Sequence, residues 1–156
     1  MTRFNPLDQE MVIQEIGDDR LVLSLMSEVL TSVGNREEDP ATERLSVAAY
    51  PDDEEAQTEY ERFMQSDLVT GRRIDQAVVD TVIKGFEDGP VSLSWPDAES
   101  LLMAVNEARV VIGARLGIES DDWEPDEEVA GHPVLALLRY LTGYQDELIG
   151  VLAGRL

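Results

Sequence analysis

Apolar residues return every three or four positions along most of this chain, and the runs are separated by stretches rich in acid, glycine and proline. That spacing is what a helix with one buried face requires. Leu21, Leu25, Met26, Val29, Leu30 and Val33 make one run, and Ile74, Val78, Val82 and Phe86 make another. Leu101, Leu102, Val105, Ala108, Ile112 and Leu116 follow, and the last run holds Val134, Leu137, Leu138, Leu141, Leu148, Ile149 and Leu152. No internal repeat and no strand–helix alternation of nucleotide-binding type interrupts them. The expectation is an all-α fold: a single domain over residues 1–156 with four to five main helices in an irregular bundle. Acidic loops are expected at about 35–44 and 118–131.

Local chemistry sets the boundaries. Phe4-Asn5-Pro6 reads as a helix opening, with Asn5 as cap, Pro6 at the first helical position and Phe4 as staple. The first helix would then carry Leu7 and Met11 and be bent or split at Gly17-Asp18-Asp19. A strand hairpin pairing Met11–Ile16 with Leu21–Leu25 is the competing reading. Gly34-Asn35 is a helix stop, and Leu45–Tyr50 is a short extended or helical packing segment. Pro51-Asp52-Asp53-Glu54-Glu55 opens a helix by placing proline and acids at the positive end of its dipole. Ser66-Asp67 marks either a new cap or a tight link. Val91-Ser92-Leu93 alternates as a strand does but lacks an obvious partner. Ser94-Trp95-Pro96-Asp97 starts another helix, Gly117 ends it, and His132-Pro133 starts the last.

Thirty-three acidic residues face twelve basic ones in the 156-residue chain, a formal charge of −21. Such a surface is repelled by nucleic-acid phosphates and anionic lipid headgroups and attracts basic protein surfaces. Direct nucleic-acid and membrane partners are therefore not expected, and no stretch reaches the roughly 18 apolar residues of a membrane span. Arg72-Arg73 is the only adjacent basic pair, too small for a DNA footprint. The absence of cysteine excludes a disulfide scaffold, a thiolate metal site and a thiol switch within the chain. It also fits a cytoplasmic protein. The bases are eleven arginines and one lysine, Lys84, a bias that points to a GC-rich genome.

Reactive side-chain sets are missing. The one histidine, His132, supports neither a nucleophilic triad nor a two-histidine metal site. No phosphate-binding loop and no nucleophile elbow occurs. Asp52, Asp53, Glu54 and Glu55 are close in sequence, but a hard cation wants ligands converging from a loop, and solvated acidic surface is the simpler reading. No cofactor, metal or catalytic residue is expected. Arg109 and Arg115 lie beside an apolar stripe, so each must pair with a carboxylate or carry its charge out to water. They are candidates for a structural salt bridge, with Glu59, Asp67 or Asp75, or for partner binding. Asp52, Asp53, Asp67, Arg72 and Asn106 complete the set of partner-binding or salt-bridge candidates.

Three strings together resemble a known family: Leu45–Tyr50 (LSVAAY), Asp52–Arg72 (DDEEAQTEYERFMQSDLVTGR) and Ala104–Gly117 (AVNEARVVIGARLG). The motifs are Ser66-Asp67-Leu68 and Asn-x-x-Arg-x-x-x-Gly-x-Arg-Leu-Gly at Asn106 to Gly117. They resemble an actinobacterial domain-of-unknown-function family that includes oxidative-stress transcriptional regulators of the AosR type. Its genes often lie beside that of the Clp-protease adaptor. The resemblance implies a cytoplasmic, mainly helical protein with no enzyme site, acting on transcription through a protein surface such as that of a sigma factor or RNA polymerase. It also implies cysteine-based redox regulation, which this chain lacks the residues to perform. Met11, Met26, Met64 and Met103 are oxidisable but read as core side chains.

The expected function is therefore a noncatalytic cytoplasmic regulator that binds a basic protein surface. The alternatives are a carboxylate-based metal-dependent enzyme, an accessory to Clp proteolysis, and a structural homodimer. The broad apolar face of the last helix would form the seam of such a homodimer.

Overall fold

The computed structural model describes residues 2–33, 40–41, 52–118, 120 and 122–154; of residue 57 and residues 60–72 it describes the backbone alone. The predicted Gly34-Asn35 stop, the Leu45–Tyr50 segment and most of the acidic stretch at 35–44 lie outside the described residues.

The chain opens on sheet, not helix. Strand β1 (Phe4–Pro6) turns into β2 (Glu10–Ile13), and β2 pairs antiparallel with β3 (Val91–Ser94), in the order β1-β2-β3. The register sets Phe4 opposite Ile13, Met11 opposite Leu93 and Ile13 opposite Val91. Phe4, Met11, Ile13, Val91 and Leu93 are all buried, so one sheet face joins the core. Alternation of buried and open positions is the strand period. Pro6 is tolerated because β1 is an edge strand, where a missing amide donor breaks no central ladder.

The all-α class is thus overturned, and four to five helices do not exhaust the helical part. A three-stranded antiparallel sheet and six helical elements make up the described residues. The Asn5-Pro6 pair that reads as a helix start sits in an edge strand. The hairpin reading had Met11 onward extended but the wrong partner: Leu21–Leu25 is helical, and the true partners are β1 and the isolated Val91–Leu93 segment.

Helix α1 spans Asp19–Thr31 and buries Val22, Leu23, Met26 and Leu30. Helix α2 spans Glu54–Gly85, with the Asp53 carboxylate accepting the Ala56 amide at 3.1 Å as its cap. It runs unbroken through Ser66-Asp67, so neither a cap nor a link forms there. A 3-10 turn (Phe86–Asp88) leads to β3. A Cβ on Gly85 would meet a Val91 methyl at 2.6 Å, so only glycine allows this close return of the chain.

Helix α3 (Trp95–Arg115) is capped by the Ser94 hydroxyl, which accepts the Asp97 amide at 3.2 Å. It is the central element and packs against α1, α2, α5 and the sheet. Enclosure on several sides explains its run of buried alanines, Ala98, Ala104, Ala108 and Ala114, which let neighbouring helices approach. It ends in a left-handed Gly117 (φ +75°), with Ile118 N–H donating to Gly113 O at 2.9 Å and Gly117 N–H to Ala114 O at 3.1 Å. This pair of bonds is the Schellman closure that favours glycine. The acidic stretch that follows contains a single-turn helix, α4 (Glu127–Ala130), before α5 (Pro133–Gly154).

Candidate functional site

Two features dominate the seam between α1 and α5, and they lie at opposite ends of it. The first is closed. Asp19 in the first turn of α1 is fully buried and charged, a placement tolerated only with close partners. Arg3 supplies two bonds, Nε to Oδ2 at 2.7 Å and Nη2 to Oδ1 at 3.0 Å. The Ile16 amide donates to Oδ2 at 3.0 Å, and the Tyr140 hydroxyl to Oδ1 at 2.6 Å. Arg3 also donates to Glu147 at 2.6 Å and lies over the Tyr144 ring, 5.3 Å from its centroid. The Tyr144 ring meets Phe4 edge-on at 5.0 Å.

Electrostatics follow the geometry. Burial alone would lower the Arg3 pKa, but the bonds to Asp19 and Glu147 outweigh it and raise the value above its ordinary level. Tyr140 is pushed up by burial and then by donating to the Asp19 carboxylate. Tyr144 is pushed up by burial first and by the Asp19 charge second. Its buried hydroxyl has no hydrogen-bond partner among the described residues. The cluster ties the N-terminal strand, α1 and α5 together. Sequence reasoning missed it because Arg3, Asp19 and Tyr140 are far apart in the chain. The available signal was Tyr140, Tyr144 and Glu147 at four-then-three spacing on one face of the last helix.

The residues singled out from sequence fall elsewhere. Arg109 is half-buried between α3 and α5, where Nε donates to Thr142 Oγ1 at 3.2 Å and Nη1 donates to Gln145 Oε1. Gln145 in turn donates to Asn106 Oδ1 at 3.3 Å. Asn106 and Arg109 are thus brought together in one polar seam, with neutral acceptors in place of a carboxylate. Arg115 is separate and donates to Ser32 Oγ at 2.8 Å, joining α3 to the end of α1. Asp52 and Asp53 are exposed at the start of α2, where Glu54, Glu55 and Glu59 lie beside them on an open surface. The side chains of Asp67 and Arg72 lie outside the described residues. His132 is exposed, and its Nδ1 accepts the Val134 amide at 3.1 Å, which caps the first turn of α5. Of the methionines, Met11 and Met26 are core residues, whereas Met103 is exposed; the Met64 side chain lies outside the described residues. Among the described residues, no three His, Asp or Glu side chains converge to hold a metal ion. None of the described helices is long and apolar enough to cross a membrane.

The second feature of the seam is open. At the far end of α1 the helices part to leave a groove of about 530 Å³. Leu25, Glu28, Val29 and Ser32 of α1 form one wall, and Ile112, Arg115 and Leu116 at the end of α3 form the floor. His132, Pro133, Val134 and Leu137 at the start of α5 form the other wall. Leu25 is 38% exposed and Leu21, one turn away, is 59% exposed. Val134 and Leu137 are half-buried, in contrast to Leu135 and Leu141, which belong to the core. A concave, mainly apolar surface of this kind is where proteins take ligands and partner segments.

Neither a curated protein nor a solved structure matches the chain. A family model, Domain of unknown function (DUF2017), matches residues 2–152. The match takes in the buried cluster, the polar seam and the groove, and the chain belongs to this family.

Proposed function

We propose that the chain is a noncatalytic cytoplasmic regulator that works by contacting a basic protein surface. The observation that carries this reading is the formal charge of −21 set beside a described core whose buried acid and amide, Asp19 and Gln145, are engaged in holding elements together. The buried polar side chains of the described core are Asp19 and Gln145, and both bind residues of neighbouring elements. The negative surface favours fast encounter with cationic proteins and opposes nucleic acid. In its finer form the proposal places the chain among actinobacterial oxidative-stress transcriptional regulators of the AosR type. The partner would then be a sigma factor or RNA polymerase, with no thiol switch in this cysteine-free chain. The arginine-over-lysine bias and the Asn106–Gly117 motif support that form.

Affinity purification of the full chain from cells at low and moderate salt tests it. The expected result is enrichment of proteins with basic surfaces that weakens as salt rises. Turnover of a small compound, or tight salt-sensitive capture of duplex DNA by the isolated chain, would overturn it.

A further inference from the structure

We infer that the groove at the open end of the α1–α5 seam docks a cationic amphipathic helix of a partner protein. The inference rests on the reading of the chain as a binder of basic proteins and gives that activity a place.

The shape comes first. Leu25, Val29, Leu116, Val134 and Leu137 present apolar surface from three helical segments into one trough, with the buried Ile112 beneath them. A trough between helices accepts the i, i+3, i+4, i+7 stripe of another helix. The exposed Leu21 extends the apolar strip one turn beyond the groove on α1. Charge then selects the occupant. The chain leaves the groove at Leu116 and returns to it at His132, and the connection carries seven acids and no lysine or arginine. Its described acids, Asp122, Glu124, Asp126, Glu127 and Glu128, are all exposed, as is Glu28 in the wall itself. The one arginine in the lining, Arg115, is turned onto Ser32. An apolar trough with Glu28 in its wall, and with an acidic connection joining its lining residues Leu116 and His132, complements a helix whose apolar stripe is flanked by Lys and Arg. It opposes an acidic helix. It also opposes a second copy of this chain, because an isologous contact would bring Glu28 of each copy into the same interface between two chains of formal charge −21.

The probe is a fluorescent Leu/Lys peptide with leucines at i, i+3, i+4 and i+7, titrated with the full chain and read by anisotropy. Two controls accompany it: a peptide of the same composition scrambled to have no apolar face, and a Leu/Glu counterpart. The amphipathic cationic peptide is expected to bind at least about tenfold more tightly than either control. Leu25→Asp and Glu28→Lys are each expected to weaken it about tenfold. Neutralising Asp52, Glu54 and Glu55 at the start of α2 is expected to change it less than about threefold. Circular dichroism checks the helix content of every variant. A photo-leucine version of the peptide, crosslinked to the unaltered chain, gives a readout independent of variant folding, with adducts expected at Leu25–Ser32 and Val134–Leu137.

Equal binding of the amphipathic and scrambled peptides, or adducts confined to Asp52–Glu59, would show bulk charge at work and overturn the inference. A Leu/Glu peptide that binds as tightly, or a dimer in sedimentation that Leu25→Asp dissociates, would overturn it as well. If the chain still recovers basic proteins in a salt-sensitive way while the groove variants leave peptide binding intact, the groove fails and the broader reading survives. If neither partner proteins nor peptide bind, both fail.

Discussion

The two ends of the α1–α5 seam solve the same packing problem in opposite ways. At the Asp19 end a buried carboxylate is met by Arg3, Tyr140 and the Ile16 amide, and strand, helix and helix are locked together. At the Ser32 end Leu25, Val29, Val134 and Leu137 stay partly open around a trough. A partnered buried charge is directional and expensive to disturb, whereas partly exposed aliphatic groups gain from any apolar surface that covers them. The closed end therefore holds the architecture, and the open end is free to be used.

The contrast can be broken most forcefully at Arg3. Arg3→Met leaves the Asp19 carboxylate buried without its counter-charge, and a loss of about 3–5 kcal/mol in chemical denaturation is expected. Adding Asp19→Asn to that variant removes the stranded charge and should recover part of the loss. A single Arg3→Met that unfolds at the wild-type midpoint would show that the closed end is not holding the fold. Tyr140→Phe removes one bond to the same carboxylate, and about 1.5–3 kcal/mol should be lost. Tyr144→Phe points the other way. Its hydroxyl is buried without a partner, so removal should leave stability unchanged or raise it by about 1 kcal/mol. The pair of tyrosine variants separates the role of the hydroxyl network from that of aromatic packing.

Asp75 gives the smallest effect and lies outside the seam. Burial raises its pKa above the ordinary 3.8, and a hydrogen bond with Ser100 offsets part of the rise. The folded chain thus keeps this proton after the unfolded chain has released it. Stability from this group is present below 3.8 and falls as pH rises from there through the folded value. Asp75→Asn should match the wild type at the acid end and show a slightly higher denaturation midpoint once the pH has passed that window. An unchanged difference across pH would remove Asp75 from the balance.

Features written in local chemistry were legible before the structure. The acids after Pro51 mark the start of α2, Ser94 and Gly117 bracket α3, and the apolar spacing marks each long helix, because caps and stripes act over a few residues. The sheet was not legible as a sheet. Its strands are three and four residues long, and Met11 finds Leu93 only across the length of α1 and α2. Asn5-Pro6 is equally at home at a helix start and in an edge strand. The breadth of the apolar face on the last helix was visible, but its division between core residues such as Leu141 and groove residues such as Leu137 depends on where α1 lies. Arg109 shows the same limit: its place beside an apolar stripe was readable, and its neutral partners Thr142 and Gln145 were not.

Amide hydrogen exchange of the full chain, alone and with the cationic amphipathic peptide, tests the division of the seam most directly. In the free chain the Asp19 end should be the more protected, and the peptide should add protection along Leu25–Ser32 and Val134–Leu137 while leaving Asp52–Glu59 unchanged. Protection that appears first at Asp52–Glu59, or a peptide that leaves the groove unaltered, would contradict it.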